Sequence, residues 1–143
     1  MTVHRHSVQY YETDRMGIAH HSNYIRWMEE ARIALLARIG FPYEALEARG
    51  VVSPVRSVQC RYKRSCTFGD AVDIETSVRD FNGVVLTLAY DMRNAATGEQ
   101  ICTASSEHVF LNRSGSFIRL KRDMPDFCEA LERLCEGREE NHG

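Results

Sequence analysis

The arrangement of apolar residues predicts an α+β fold in which one long helix precedes a series of antiparallel strands. Two observations lead to this class. Near the start of the chain, apolar residues recur at three- and four-residue steps, which is the spacing of an amphipathic helix. Further on, apolar and polar residues alternate along segments separated by short turns, as in strands that bury one face.

We expect the long helix to run from about Tyr24 to about Ile39. Its apolar stripe consists of Tyr24, Trp27, Met28, Ala31, Leu35 and Ile39. Ser22 or Asn23 is a suitable N-cap, because its side-chain oxygen can accept a hydrogen bond from the first free amides. Gly40 is a suitable end, because glycine readily adopts the conformation that stops a helix. A helix of this length is predicted to form the centre of the domain.

The alternating segments predict five strands. They are Val3–Tyr11, Val51–Arg64, Ala71–Arg79, its partner Val84–Met92, and Gln100–Asn112. Pro54 indicates an edge position or a bulge in the second strand, because proline cannot donate to a ladder. The dipeptide Asn82-Gly83 favours a type I′ hairpin turn between the third and fourth strands. A further helix is predicted over Asp123–Gly137, with Phe127, Leu131 and Leu134 at helical spacing.

The size and composition of the chain indicate one ordinary globular domain over residues 1–143. Hydrophobic residues make up 43% and charged residues 27% of the sequence, and the net charge is −2. This balance argues against a nucleic-acid-binding protein that relies on bulk positive charge. No segment is apolar over the length needed to span a membrane, and the N-terminus lacks the apolar centre of a signal peptide. We therefore expect a cytoplasmic protein.

Neither a metal nor a cofactor is predicted. The five cysteines include no C-x-x-C pair, so they indicate neither a zinc site nor a disulfide framework and are expected to be reduced. His4 and His6 lie on one face of the first predicted strand, but a third metal ligand with suitable spacing is missing. We therefore expect that strand face to be solvated. No glycine-rich phosphate-binding pattern occurs.

The segment before the long helix carries the residues with the clearest chemical potential. Asp14 precedes the helix start, where backbone N–H groups can stabilise an oxyanion. A carboxylate in that place can attack a carbonyl carbon or activate water as a base, and the sequence does not separate these two routes. The alternative is an ordinary turn, because Asp14 and Gly17 are also common turn residues.

A longer motif favours the chemical interpretation. The residues from Tyr10 to Arg32 follow the pattern Y-x-x-T-D-x-x-G-x-x-x-H-x-N-Y-x-x-W-x-E-x-A-R. This pattern resembles the 4-hydroxybenzoyl-CoA thioesterase-like branch of the hotdog-fold acyl-CoA thioesterases. The resemblance implies a curved antiparallel sheet of five strands wrapped around the long helix. It also implies hydrolysis of acyl-CoA thioesters by a homodimer or homotetramer whose sites lie between subunits.

The same resemblance implies a role for individual residues. Asp14 matches the catalytic carboxylate, and Gly17 lets the loop approach the substrate. His21 matches a histidine whose imidazole could orient water and whose backbone N–H could stabilise the oxyanion; the alternative is a histidine that only caps the helix or is solvated. His20 is expected to be structural only.

Other residues are assigned to the substrate or to the core. We assign Gly17, Tyr24, Arg61, Lys63 and Arg64 to substrate binding. The basic residues among these, together with Arg113, Arg119, Lys121 and Arg122, are candidates for contacts with the phosphates of coenzyme A. Glu29 and Arg32 are interpreted as a structural ion pair, within the helix or across a subunit boundary. Trp27 and Met28 are expected in the core, with the acyl pocket as the alternative.

Two other functions remain open at this point. One is a hotdog dehydratase acting on 3-hydroxyacyl thioesters, although the loop has the spacing of the thioesterases. The other is a hotdog protein that binds acyl-CoA without turnover.

Overall fold

The computed structural model describes residues 2–142 and the side chains of residues 2–135. The strands are Thr2–Ser7 (β1), Val55–Tyr62 (β2), Ala71–Phe81 (β3), Leu86–Asn94 (β4) and Gln100–His108 (β5). The helices are Ser22–Arg38 (α1), Tyr43–Ala48 (α2), Leu120–Asp123 (α3) and Pro125–His142 (α4). The five strands form one antiparallel sheet in the order β1-β3-β4-β5-β2. The predicted α+β class, with a curved sheet around a long helix, is confirmed.

Helix α1 lies against one face of this sheet, and the core fills the space between them. Trp27, Met28, Ala31 and Leu35 of the predicted apolar stripe are buried, so Trp27 and Met28 are core residues as expected. Full burial of a side chain such as Met28 or Leu35 contributes about 1.5–3 kcal/mol to stability. Arg32 is also buried, and it pairs with Glu29 one turn earlier in the same helix. That ion pair is therefore local.

The start of α1 differs from the prediction. The helix begins at Ser22, two residues earlier than expected, and no side chain caps it from the N-cap position, which His21 occupies. Asn23 does not act as an acceptor there, because its side-chain amide donates to the backbone carbonyls of Glu12 (2.9 Å) and His20 (3.2 Å). Instead, His20 Nδ1 accepts the Ser22 N–H at 3.2 Å, so His20 has the structural role that was expected.

Strand β1 is shorter than predicted, and its histidine face was assigned wrongly. The strand ends at Ser7 because Gln9 and Glu12 close a reciprocal capping box around a 3-10 turn over Tyr10–Glu12. His4 and His6 lie opposite buried residues of β3 and face α1 rather than solvent. Polar residues on the core side of this strand explain why the alternation was misleading.

The β3–β4 hairpin is confirmed, but its turn is not type I′. A type I′ turn needs positive φ at both central residues, and Asn82 does not have it, whereas Gly83 has φ +92°. The side-chain oxygen of Asn82 instead accepts the N–H groups of Val84 (2.9 Å) and Val85 (2.7 Å). These bonds lengthen the connection, so β4 begins at Leu86.

Two other segments complete the fold. β2 is an edge strand with a register shift between Val55 and Ser57, which agrees with the expectation from Pro54. β5 ends at His108, before the predicted Asn112, because the chain then pairs with the residues that precede β2. Helix α4 begins at Pro125 and packs Phe127 against Phe41 and Phe110. In the described part of the chain no helix is long and apolar enough to cross a membrane.

Candidate active site

The loop between β1 and α1 is a small hairpin that projects Asp14. Thr13 pairs with Ala19, and the Asp14 N–H donates to the carbonyl of Ile18 at 3.0 Å. Gly17 turns the chain with φ +79°, a conformation that residues with a side chain rarely adopt. The carbonyl of Gly17 accepts the Thr67 hydroxyl at 2.7 Å, which fastens the tip of the hairpin to the segment before β3. The loop therefore has a defined shape.

The Asp14 carboxylate is half-buried and only partly engaged. Its Oδ1 accepts the Met16 N–H at 2.9 Å, which holds the side chain across the turn. Within the described residues, Oδ2 has no hydrogen-bond donor. One carboxylate oxygen is thus fixed by the protein, and the other can meet a substrate or a water molecule.

The backbone at the start of α1 has one unoccupied donor. The N–H of Asn23 donates to the His20 carbonyl (3.0 Å), and the N–H of Tyr24 donates to the His21 carbonyl (3.3 Å). As described above, the Ser22 N–H is also occupied. The His21 N–H, by contrast, has no acceptor in the part of the chain that the structure describes. It is the amide that can serve an external oxygen.

These groups meet in a cleft of about 400 Å³. The loop and α1 contribute Asp14, Met16, Ile18, Ala19, His21 and Tyr24, and the end of β2 and the residues after it contribute Tyr62, Lys63, Arg64 and Ser65. The structure therefore brings Asp14, His21, Tyr24, Lys63 and Arg64 together, as the sequence predicted for a shared site. Gly17 shapes the same loop from its tip.

Arg61 does not reach this cleft. Arg61 belongs to β2 and lies opposite Thr103 of β5. It lines a groove on the sheet face that points away from α1. Strand alternation separates it from Tyr62, because successive side chains point to opposite faces, whereas Lys63 and Arg64 follow the end of β2. Arg119 and Lys121 lie in a different cleft beside the β3–β4 hairpin.

Two tyrosines form the aromatic wall of the cleft. The ring of Tyr62 packs edge to face on Tyr24, with centroids 5.0 Å apart, and its hydroxyl donates to the His21 carbonyl at 3.2 Å. Burial raises the pKa of Tyr24, and burial together with the neighbouring Cys60 raises the pKa of Tyr62 to about 12. Both phenols therefore keep their protons near neutral pH and form walls of the cleft.

The lysine and arginine at the cleft are accessible. Lys63 Nζ donates to the side chain of Gln100 at 2.9 Å, and Arg64 Nε pairs with Glu99 at 2.9 Å. Both residues are exposed, so each can leave its present partner and bind an external anion at little cost in free energy. In the described residues no group of three or more His, Cys, Asp or Glu side chains is placed to hold a metal ion.

Two residues of this region were missed from the sequence. Tyr62 was regarded only as part of a strand, and its contact with His21 depends on long-range packing. Glu12 is buried two residues before Asp14 and accepts the Gln9 N–H at 2.8 Å. The three-residue spacing of Gln9 and Glu12 is a capping-box signal that could have identified it.

Comparisons with known proteins place the chain in one family. A family profile described as the thioesterase-like superfamily matches residues 8–132. YneP of Bacillus subtilis, provisionally named an acyl-CoA thioesterase, is 38% identical over 88% of this chain and 91% of its own length. YbgC of Escherichia coli, named an acyl-CoA thioester hydrolase, is 30% identical over 62% of this chain and 66% of its own length.

A solved structure extends the likeness to the whole fold. The DHNA-CoA thioesterase of Staphylococcus aureus is 30% identical and superposes with a TM-score of 0.93. The alignment covers 98% of this chain and 94% of that enzyme.

Proposed function

The chain belongs to the thioesterase-like superfamily, as its loop motif predicted, and from that premise we propose that it hydrolyses acyl-CoA thioesters with Asp14 as the catalytic carboxylate. The observation that carries the proposal is that one cleft is lined by Asp14, which has a free carboxylate oxygen, and by His21, which has a free backbone N–H. Thioester hydrolysis needs a group that attacks or activates water and a donor for the oxygen that becomes charged.

Asp14 supplies the first of these groups by one of two routes. As a nucleophile, it attacks the thioester carbon, expels the thiolate of coenzyme A and leaves an acyl-enzyme anhydride that water opens. As a general base, it takes a proton from water, which attacks the same carbon directly. Both routes consume one water molecule and release a carboxylic acid and a thiol. The fixed Oδ1 and the free Oδ2 are compatible with either.

The His21 backbone N–H supplies the second group. A preorganised amide that points at the developing oxyanion costs no reorganisation during the reaction. A single donor of this kind contributes about 2.7–4 kcal/mol to transition-state stabilisation in a related type of site. The imidazole of His21 is exposed and lies beside the same position, where it can orient water.

The substrate class follows from the lining of the cleft. Met16, Ile18, Tyr24 and Tyr62 offer apolar and aromatic surface to an acyl group. Lys63 and Arg64 place two cations where the phosphates of coenzyme A could bind. A volume of about 400 Å³ lies in the usual range for small-molecule sites. Arg61 has no part in this proposal because it lies on the other sheet face.

We further propose that the protein works as a homodimer or homotetramer. β2 is an edge strand, so its outer backbone groups are free to pair with a second copy. Val55 and Tyr62, at its two ends, are each 44% exposed, and Tyr62 belongs to the cleft wall. Sedimentation at micromolar concentration should therefore show a species of at least two chains, and a monomer would contradict this part of the proposal.

The test of the activity is thiol release over a panel of acyl-CoA thioesters that includes short aliphatic, long aliphatic and aromatic acyl groups. We expect release of free coenzyme A with at least one member of the panel. A 3-hydroxyacyl-CoA should be hydrolysed or left intact, and its conversion to the enoyl product would favour a dehydratase. Binding of the panel without any release would instead indicate an acyl-CoA-binding protein.

A further inference from the structure

We propose that Glu12 is a positioning residue for the reaction, and that its buried carboxylate, paired with His6, fixes the loop that carries Asp14. This inference rests on the proposed function and concerns a residue that does not line the cleft. It comes from the hydrogen bonds that meet at Glu12 from three parts of the fold.

The carboxylate of Glu12 is surrounded by donors. Its side chain is only 5% exposed. Oε1 accepts the Gln9 N–H at 2.8 Å and His6 Nε2 at 2.8 Å, and Oε2 accepts the indole Nε1 of Trp27 at 2.8 Å. Strand β1, the 3-10 turn and helix α1 are therefore joined through one side chain.

The backbone of Glu12 joins the two ends of the loop. Its carbonyl accepts the His20 N–H at 2.9 Å and the side-chain amide of Asn23 at 2.9 Å. His20 is adjacent to His21, whose N–H is the free donor of the cleft, and Glu12 is two residues before Asp14. A displacement of Glu12 would therefore change the separation between the carboxylate and the oxyanion donor.

His6 lies between two carboxylates. Its Nε2 is 2.8 Å from Glu12 Oε1, and its Nδ1 is 3.1 Å from Glu30 Oε1. Its ring therefore connects the 3-10 turn to α1. The charged or titratable groups around it are Glu12 from the 3-10 turn, Glu30 from α1, and His4 of β1, which shares Glu30. The ring also packs against Trp27, with centroids 4.8 Å apart.

The ionised state of Glu12 is favoured by these donors. Burial alone would raise the pKa of its carboxyl, but the hydrogen bonds from Gln9, His6 and Trp27 outweigh burial and hold that pKa below its usual value. Charge-assisted bonds of this kind are shorter and stronger than neutral ones, so they restrict the side chain effectively.

An amide cannot replace this carboxylate. Three donors converge on two oxygens, whereas glutamine offers one oxygen and one NH₂ group. If the NH₂ group took the place of Oε2, it would face the Trp27 N–H, and if it took the place of Oε1, it would face the Gln9 N–H. Glu12→Gln therefore introduces one contact between two donors, next to the loop, while it conserves the size of the side chain.

The experiment compares Glu12→Gln, Trp27→Phe and the double variant by steady-state kinetics. We expect Glu12→Gln to lower kcat by about tenfold with KM within about threefold, because the loop is displaced and the cleft lining is unchanged. Trp27→Phe removes the donor opposite Oε2, so the double variant should recover part of the kcat that Glu12→Gln loses. A purely structural role would instead change the stability of these variants and leave kcat per folded molecule unchanged in all three.

Tyr90→Phe is the matched control. It also removes one partner from a buried hydrogen bond, that between the Tyr90 hydroxyl and Ser106 Oγ at 2.8 Å, but it lies outside the cleft lining. We expect kcat to be unchanged in this variant. Amide hydrogen exchange over residues 13–21 supplies a readout that is independent of turnover: it should accelerate in Glu12→Gln and stay constant in Tyr90→Phe.

If Glu12→Gln does not fold, His6→Gln tests the same element, because Glu12 then keeps its bonds to Gln9 and Trp27. It should lower kcat by about threefold and accelerate exchange in the loop. A parent protein without thioester hydrolysis would overturn the proposed function and this inference with it. An active parent whose Glu12 and His6 variants keep both kcat and exchange rates would overturn this inference alone.

Discussion

Two histidines on the helix-facing side of the sheet have opposite surroundings. His6, in β1, lies between the carboxylates of Glu12 and Glu30. His108, at the end of β5, is 1% exposed and has one partner, Ser106 Oγ, at 2.7 Å from its Nε2. Its Nδ1 has none among the described residues, and burial, assisted by the nearby Arg32, lowers its pKa to about 3. The two rings therefore differ in their partners: His6 meets two carboxylates, whereas His108 meets one neutral hydroxyl.

The difference separates two polar clusters with different consequences. The cluster around His6 is fully hydrogen-bonded and adjoins the loop that carries Asp14. The network of Tyr90, Ser106 and His108, called here the inner network, lies under α1 and contributes nothing to the lining of the cleft. We therefore expect changes at the loop to alter turnover, and changes in the inner network to alter stability.

The largest expected effect is that of Asp14→Asn on turnover. A loss of stability in this variant would contradict the separation between a loop that controls turnover and a network that controls stability. The substitution conserves size but removes the charge that a nucleophile or base requires. Hydrolysis of the best acyl-CoA should fall by at least about a hundredfold, the lower end of what acid–base catalysis contributes.

Binding of acyl-CoA and the unfolding transition should change little in that variant. Calorimetric titration and urea denaturation measure both. Hydrolysis at the rate of the parent would leave His21 and the start of α1 as the remaining catalytic groups.

The next effect tests the inner network through pH. His108 has an ordinary pKa of about 6.5 when unfolded and about 3 when folded, so between these values only the unfolded chain binds the proton. The stability that depends on a neutral His108 is complete above about pH 6.5 and is lost as the pH falls towards 3, at up to about 1.4 kcal/mol per pH unit.

Between pH 7 and pH 5 the free energy of unfolding, measured by urea denaturation, should therefore fall by up to about 2 kcal/mol more in the parent than in His108→Gln. The other histidines are common to both proteins and cancel in this comparison. Equal differences in the two proteins would mean that His108 takes up a proton in the fold as readily as in the unfolded chain.

His21→Ala sharpens the assignment within the loop. The backbone N–H survives the change, so only the contribution of the imidazole is lost. We expect turnover to fall by about tenfold, less than for Asp14→Asn, in the same thiol-release assay. A loss as large as that of Asp14→Asn would show that the two side chains act as one unit.

The smallest effect is that of Tyr90→Phe. Removal of one buried hydrogen bond should lower the free energy of unfolding by about 1 kcal/mol, because Ser106 keeps His108 as a partner. Urea denaturation at pH 7 measures this change. A reduced turnover at equal folded fraction would contradict the separation of the two clusters.

Local patterns were enough to predict the elements, and distant contacts explain the errors. The alternation in Ala71–Arg79 predicted β3, which extends to Phe81, because one of its faces is buried along most of its length. The same reasoning predicted β1 but assigned its faces wrongly. Its inward side chains include His4 and His6, whose partners lie on α1 and the 3-10 turn.

The candidate site shows the same limit. Asp14 and His21 could be chosen from a motif that is continuous in sequence. The cleft walls could not, because Arg61 lies within β2 on the far sheet face, whereas Lys63 and Arg64 lie just after the end of that strand. Likewise, Glu12 gains its importance from Trp27, 15 residues later, and from His6 on the strand before it.

Most of the backbone amides at the start of α1 already donate to internal acceptors, and this limits the kind of anion that the helix start can bind. Phosphate and sulfate ions generally bind a helix start through several N–H groups at once. Here Ser22, Asn23 and Tyr24 have internal acceptors, so one amide remains. A thioester oxygen needs only one short bond as it gains charge, whereas a free phosphate would leave most of its oxygens without a donor. In the proposed reaction, the helix start would therefore discriminate by denticity, because it offers one donor to a single carbonyl oxygen and too few donors to an inorganic anion.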